Sequence, residues 1–257
     1  MADTFDSSNV TPTATAVMRT LGPLIREHAL WEPGERLAIG LSGGKDSLTL
    51  TWLLSEATRF HLPECHIVAL HVPPPPWCSC AVPVEELRRL AASLPRVELQ
   101  ILASDEPLPE SCDRCARERR RRLFLACRER EIHTLAFAHH QDDLVQTLLM
   151  NILFHGEASA TMQPVRSFGD GALRLIRPLL STPEKRIIAL ARRLGYLRSV
   201  TCATSGPAES QRTAVRAFLH GLGPRRDVVK ANLARLARQF RSAESSTPAS
   251  EPASPSK

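Results

Sequence analysis

A turn of six residues, Ser42, Gly43, Gly44, Lys45, Asp46 and Ser47, joins an apolar run at 36–41 to a run with helical character at 47–56. A strand that passes through two glycines into a helix can fold in few ways. The chain must reverse sharply, and the first N–H groups of the helix have no partner inside it. Those groups and the helix dipole make the turn a place for an anion, above all a phosphate. Glycine lets the backbone approach closely and take positive φ. Lys45 adds a full charge, and Asp46 beside a phosphate site implies a shared divalent cation. Lys45 also stands out from its background: the chain has four lysines among 33 basic residues, and no other lysine precedes Lys185. A compact ammonium suits a phosphate held as a point charge, where a guanidinium fork is broad. The G-x-x-x-x-G-K-S/T spacing of the Walker loop is absent.

The rest of the chain alternates. Strands are expected at 36–41, 65–72, 97–102, 134–138 and 173–176, and helices at 13–28, 47–56, 84–94, 113–131, 142–154, 183–194, 208–220 and 225–241. Pro73 to Pro76 end the second strand and open a loop. This order predicts an α/β fold, a doubly wound parallel five-stranded sheet covered on both faces. Residues 1–12 read as a loose tail, 13–241 as the folded domain, and 242–257, rich in Ser, Pro, Ala and Glu, as a disordered tail. Ligands of such sheets bind at the carboxyl ends of the strands. The 42–47 turn after strand one and His139–His140 after strand four are therefore expected on one edge. No run is long and apolar enough for a membrane span, and the N-terminus is acidic and polar, unlike a secretory signal, so the cytoplasm is expected.

Three further constellations carry chemistry. Ala138, His139, His140, Gln141, Asp142 and Asp143 end a strand and open a helix, where Asp142 or Asp143 can cap the helix or bind a metal. Thr147 and Asn151 lie on the same helical face as Asp143. Cys112-x-x-Cys115 fits a zinc site, an iron–sulfur site or a redox pair, and needs further ligands, for which Cys202, Cys78 and Cys80 are candidates. Cys65, in a strand, and Cys127, in a helix, read as core thiols. The segment 114–130 holds eight arginines against Glu118 and Glu129. With a pI near 9.2, it reads as a surface for RNA phosphates, with Arg117, Arg120 and Arg121 as contacts. Arg225, Arg226, Lys230, Arg235, Arg238 and Arg241 form a weaker second basic helix.

The 42–47 turn resembles the PP-loop of ATP pyrophosphatases, S-G-G-x-D-S. The ordered set from about residue 31 to 240 resembles the tRNA 2-thiocytidine synthetases. It comprises that loop, Cys112–Cys115 with its basic helix, His139 to Asp143 with Thr147 and Asn151, Ile176-Arg177-Pro178-Leu179, and Gln211-Arg212 after Cys202. The resemblance implies an ATP-dependent tRNA sulfurtransferase that forms AMP. Lys45 and Asp46 would be catalytic, with Asp46 on Mg²⁺. ATP contacts would come from 42–47, His71, Ala138, His139, Asp143 and Arg177. It also implies a 4Fe-4S cluster on Cys112, Cys115 and a third cysteine, with tRNA and a cysteine desulfurase system as partners and a homodimer as one assembly. The family shows C-x-x-C-G where this chain has Cys202, Ala203, Thr204, Ser205 and Gly206, so Cys202 stands in for a ligand three positions on. Cys78 and Cys80 depart from the family, as alternative ligands or as sulfur-relay thiols. The competing readings are a lysidine-synthetase-like ligase and a zinc-stabilised RNA-binding protein with a relic loop.

Overall fold

The computed structural model describes residues 7–75, 78, 80–103, 106–109, 111–158, 162–198 and 207–246. The strands are β1 (Glu35–Gly40), β2 (Cys65–His71), β3 (Val97–Ile101), β4 (Thr134–Ala136), β5 (Val165–Phe168) and β6 (Leu173–Ile176). They form one sheet in the order β3-β2-β1-β4-β6-β5. All pairs are parallel except β5 with β6. The helices are α1 (Ser7–His28), α2 (Lys45–Ser55), α3 (Val84–Ser93), α4 (Cys112–Glu129), α5 (Gln141–Met150), α6 (Glu184–Arg193), α7 (Pro207–Gly221) and α8 (Arg226–Ser246).

β1 is central because both of its faces are apolar. Leu37 and Ile39 pack with Leu50, Leu53, Leu54 and the inner sides of α1 and α6. Ala38, one residue out of phase, packs on the other face with Val68, Leu70, Leu135 and the α4 residues Leu123, Ala126 and Cys127. Period-two alternation thus sends neighbouring residues into two separate cores. Burying a leucine or isoleucine as fully as these contributes about 1.5–3 kcal/mol. From β1 the chain steps outward to β2 and β3, then returns to β4 on the other side of β1. The strand order reverses between β1 and β4, where ligands of such sheets sit. The register Ala38 to Leu135 and Ile39 to Ala136 brings the ends of these two strands together, on one edge as expected.

The sheet has six strands where the sequence suggested five. β5 is a four-residue edge strand whose central Arg166 and Ser167 are exposed, too short to show alternation. Its signal lies in the turn to β6: Gly169, Asp170 and Gly171 all have positive φ, as an Asp-Gly hairpin requires. α1 starts at Ser7, six residues before the expected helix, and α8 runs on to Ser246. α5 ends at Met150 and continues as a π-helical turn, Asn151–His155, closed by Gly156 in the left-handed region. No described helix is long and apolar enough to cross a membrane.

Gly40 closes β1 because nothing larger fits. A Cβ there would lie 2.8 Å from the Phe137 ring and 3.3 Å from Leu123. Gly40→Ala is expected to cost about 1–3 kcal/mol through overpacking, read as a lower urea midpoint with an unchanged m-value. A second change, Phe137→Leu, should recover part of the loss. A midpoint equal to wild type in Gly40→Ala alone would show that the ring moves away at no cost.

Candidate active site

The 42–47 turn leaves β1 at this reversal. Gly43 holds φ at +82° and Gly44 caps α2. The turn is braced from within: the Ser42 and Ser47 hydroxyls lie 3.0 Å apart, the Gly44 N–H donates to Ser42 Oγ at 3.2 Å, and Ser47 Oγ donates to the Gly44 carbonyl at 3.1 Å. Val82, in the loop before α3, packs against Gly43; a Cβ at position 43 would sit 2.7 Å from its Cγ2. The Lys45 N–H donates to the Arg198 carbonyl at 3.2 Å.

The Lys45 ammonium is gripped by two carboxylates, Asp46 and Glu184, each at 2.9 Å. Burial works against its charge, but these contacts outweigh it and hold its pKa above the ordinary lysine value. His140 stands over the pair, its Nε2 3.9 Å from Asp46 and 4.0 Å from Glu184. The His140 N–H donates to Asp143 Oδ2 at 3.0 Å, so Asp143 caps α5. Asp142 has a different task. Its Oδ2 receives the Glu184 N–H at 2.8 Å, and its Oδ1 receives the Lys230 ammonium. Burial raises its pKa, but Lys230 and that N–H more than offset this and keep it ionised. Asp142 thereby ties α5 to the start of α6 and to α8.

Two cavities meet at this point and share Ser42, Asp46 and Asp143. The first, about 330 Å³, is walled by Leu41, Leu70, Val72, Phe137, Ala138 and His139, with Ala116, Arg119 and Arg120 of α4 on its rim. The second, about 370 Å³, is polar and is lined by Gly44, Lys45, His140, Gln146, Glu184, Arg198 and Arg216. Shape and lining suit a base and sugar in the first and phosphates in the second. Among the described residues no group of three His, Cys, Asp or Glu side chains is placed to hold a metal ion. Asp46 and Asp143, which line both cavities, are hard oxygen ligands of the kind Mg²⁺ uses alongside substrate phosphates.

The expected residues fall in three groups. Ser42, Gly44, Lys45, Asp46 and Ser47 of the turn, with Ala138, His139 and Asp143, line the cavities, and Gly43 lines neither but packs against Val82. His71 is fully buried and lines neither; its Nδ1–H donates to the Leu41 carbonyl at 2.8 Å and so fixes the peptide that leads into the turn. Burial lowers its pKa. Arg177 donates to the Gln163 carbonyl at 2.6 Å, and burial, with Arg120 and Arg166, brings its pKa down to about 10. Thr147 and Asn151 line neither cavity; Gln146 does. Cys115 lies in the first turn of α4, its N–H on the Ser111 carbonyl at 2.8 Å. The side chain of Cys112, and Cys202 altogether, lie outside the described residues. Arg117, Arg120 and Arg121 are exposed, with Arg121 joined to Glu118 at 2.8 Å. Cys65 and Cys127 are core thiols, pushed up to about 12 by burial. Glu184, Arg198, Arg216 and Val82 were not expected at the site. They lie far from the turn in sequence and in no recognisable motif.

A PP-loop domain model matches residues 13–220. Curated proteins named tRNA-cytidine(32) 2-sulfurtransferase are similar across most of the chain. That of Geotalea uraniireducens is 30% identical over 225 residues, 85% of this chain and 89% of the relative. That of Geobacter metallireducens is 33% identical over 223 residues, 84% and 86%. The fold is also that of a solved U34-tRNA thiolase, NcsA from Methanococcus maripaludis with its 4Fe-4S cluster. It matches with a TM-score of 0.66 at 21% identity, over 91% of this chain and 78% of that one.

His139 gives the site a pH signature. Its Nδ1 is buried with no hydrogen-bond partner among the described residues. Burial, with Arg177, Arg120 and His140 and against Asp143, lowers its pKa to about 4. Between the ordinary value of about 6.5 and this one, the unfolded chain binds a proton that the folded chain refuses. Stability is therefore expected to fall with pH across that window, by about 3 kcal/mol when complete. Urea unfolding across it, for wild type and His139→Asn, tests this. The same pH slope in both proteins would place the acid sensitivity elsewhere.

Proposed function

The chain belongs to the PP-loop family and to the tRNA-cytidine 2-sulfurtransferase group within it, and from that membership we propose that it thiolates a cytidine of tRNA, position 32 as in its named relatives. In the first step the C2 carbonyl oxygen of the base attacks the α-phosphorus of ATP. An O–P bond forms, the bond to the bridging oxygen breaks, and pyrophosphate leaves. Lys45 and the N–H groups opening α2 face the charge that develops on pyrophosphate. Asp46, with Asp143 close by, would hold Mg²⁺, whose charge would favour departure of pyrophosphate. Ala138 and His139 bound the nucleoside pocket, His71 sets the turn through Leu41, and Arg177 backs His139. In the second step a sulfur nucleophile attacks C2, and AMP departs with the former carbonyl oxygen.

Cys112, Cys115 and Cys202 hold a 4Fe-4S cluster in this reading; thiolates suit its soft iron. Bound there, such a cluster would supply iron–sulfur chemistry to the sulfur-transfer step. Arg117, Arg120 and Arg121 contact tRNA phosphates. The sulfur comes from a cysteine desulfurase system, and the enzyme works in the cytoplasm. The reading includes pairing of two copies, for which exposed Leu153, Phe154 and Phe218 supply apolar surface. The observation that carries the proposal is the shared cavity. The phosphate turn and the α4 residues just past the cysteine pair line the same space.

Lys45→Ala is expected to slow tRNA-dependent AMP release by about a hundredfold or more. Mass spectrometry of the tRNA nucleosides should show 2-thiocytidine lost in parallel; AMP release at the wild-type rate would overturn the assignment. After anaerobic reconstitution, Cys115→Ala and Cys202→Ala are expected to hold no more iron and sulfide than background. A full cluster in Cys202→Ala would move the third ligand to Cys78 or Cys80.

A further inference from the structure

Arginines gather on one rim of the first cavity without acids to balance them. Arg119 and Arg120 of α4 line that cavity, while its two carboxylates, Asp46 and Asp143, lie where it meets the second. Glu118 is taken by Arg121 and Arg122. No described carboxylate pairs with Arg119, Arg120, Arg166 or Arg177. Arg177 follows β6, and its buried Nε has no hydrogen-bond partner among the described residues. Arg120 and Arg166 stand close enough to add to the effect of burial on its charge. Like charges held together with no counter-ion repel one another, and an anion arriving from outside relieves that repulsion.

The fold sets the direction of this row. β5 is the edge strand and pairs antiparallel with β6, Arg166 opposite Leu175. Arg166 therefore lies at the carboxyl end of β6, the end from which Arg177 follows. Phe124 of α4 and Phe168 of β5 meet at a tilt, their ring centroids 5.2 Å apart, and so join the hairpin to the helix. The Arg166 guanidinium lies over the Phe168 ring, 5.2 Å from its centroid. A guanidinium that rests one face on a ring keeps its in-plane N–H donors for another partner. The ring also steadies a long side chain that would otherwise lose rotamer freedom on binding. Arg120 and Arg166 are exposed, and Arg177 is half-buried.

We propose that Arg120 and Arg166, with the charge of Arg177 beside them, grip the backbone phosphates of an unpaired RNA segment that crosses the rim of the first cavity. The proposal rests on the tRNA reading and deepens it. It adds the β5–β6 hairpin to the contact surface and states which conformation of RNA fits there. A nucleotide is a poor candidate for this row, because Lys45 and the N–H groups opening α2 already serve its phosphates at the second cavity. Arg166 lines neither cavity and lies exposed on the edge strand, so a ligand that touches both it and Arg120 extends outward from the pocket, as a polynucleotide does. The segment is unpaired because a base stacked inside a duplex cannot be reached for chemistry. The guanidinium fork suits the contact, since it can hold two oxygens of one phosphate.

The test follows binding of an unmodified tRNA transcript to the full chain by fluorescence anisotropy, without ATP, at several salt concentrations. Each phosphate contact to a single strand contributes about 0.7 to the slope of log K against log salt. Arg166→Ala is expected to flatten the slope by about 0.7, and the double change with Arg120→Ala by about 1.4. Arg166→Lys keeps the charge and should keep the slope. Arg19→Ala removes one exposed charge from α1, which packs on the opposite face of the sheet from α4, and should match wild type. With a fully paired RNA of the same length as probe, Arg166→Ala should match wild type too. A wild-type slope for Arg166→Ala on the transcript would overturn the proposal, as would an equal flattening on the paired RNA. A fall in ATP affinity with transcript binding intact would assign Arg166 to the nucleotide and overturn it as well. Slopes that flatten in Arg117→Ala and Arg121→Ala but not in Arg166→Ala would strike the hairpin contact alone. A wild type that binds no transcript would sink the tRNA reading along with it.

Discussion

A largely buried ammonium stays charged only if opposite charge is brought to it. Around Lys45 that condition organises much of the molecule. Asp46 comes from the same turn, but Glu184 arrives from α6, far along the chain. Glu184 is placed by Asp142 of α5, whose second oxygen is held by Lys230 of α8. One charge at the mouth of the sheet thus draws three further helices into register. The two carboxylates on Lys45 also occupy it, so any other anion reaching this ammonium has to take over contacts already formed.

Much of this was legible in the sequence. The strand–glycine–helix pattern around 42–47 determines which edge carries the site, because helix N-termini and strand carboxyl ends coincide in parallel sheets. The apolar β-strands were legible because full burial writes itself as a continuous run, as in β1 and β2. β5 was not, since an edge strand of Val165, Arg166, Ser167 and Phe168 has no periodicity to read. His71 was named as a nucleotide contact through family likeness, yet it is fully buried against Leu41, which no local pattern reveals. Glu184, Arg198 and Arg216 were invisible for a different reason: each reaches the site only through tertiary packing, and a lone charged residue on an amphipathic helix reads as solvated surface.

The two cavities differ in the chemistry of their walls. The α4 side is walled by leucine, valine and phenylalanine and strengthens every charge interaction within it; it has pushed His139 down to about 4. The α6 side pairs its lysine with the carboxylates of Asp46 and Glu184. Ser42, Asp46 and Asp143 line both, so a molecule spanning the two spaces has to pass between those three side chains. The thiols follow the same partition. Those deep in the core are chemically silent, and Cys78, Cys80 and Cys115 lie on segments that border the turn.

The packing of Val82 into the space beside Gly43 has an evolutionary consequence. The two positions sit in different segments, yet neither can change size alone: a side chain at 43 meets Val82, and a larger residue at 82 meets the backbone of the turn. Their effects on stability and turnover are coupled and non-additive, as expected for residues in direct contact. The loop that leads into Val82 is therefore tied to the turn at that contact. Lineages that rebuild this loop inherit a constraint set by a missing methyl group, and substitutions at 82 open or close the routes by which position 43 can evolve.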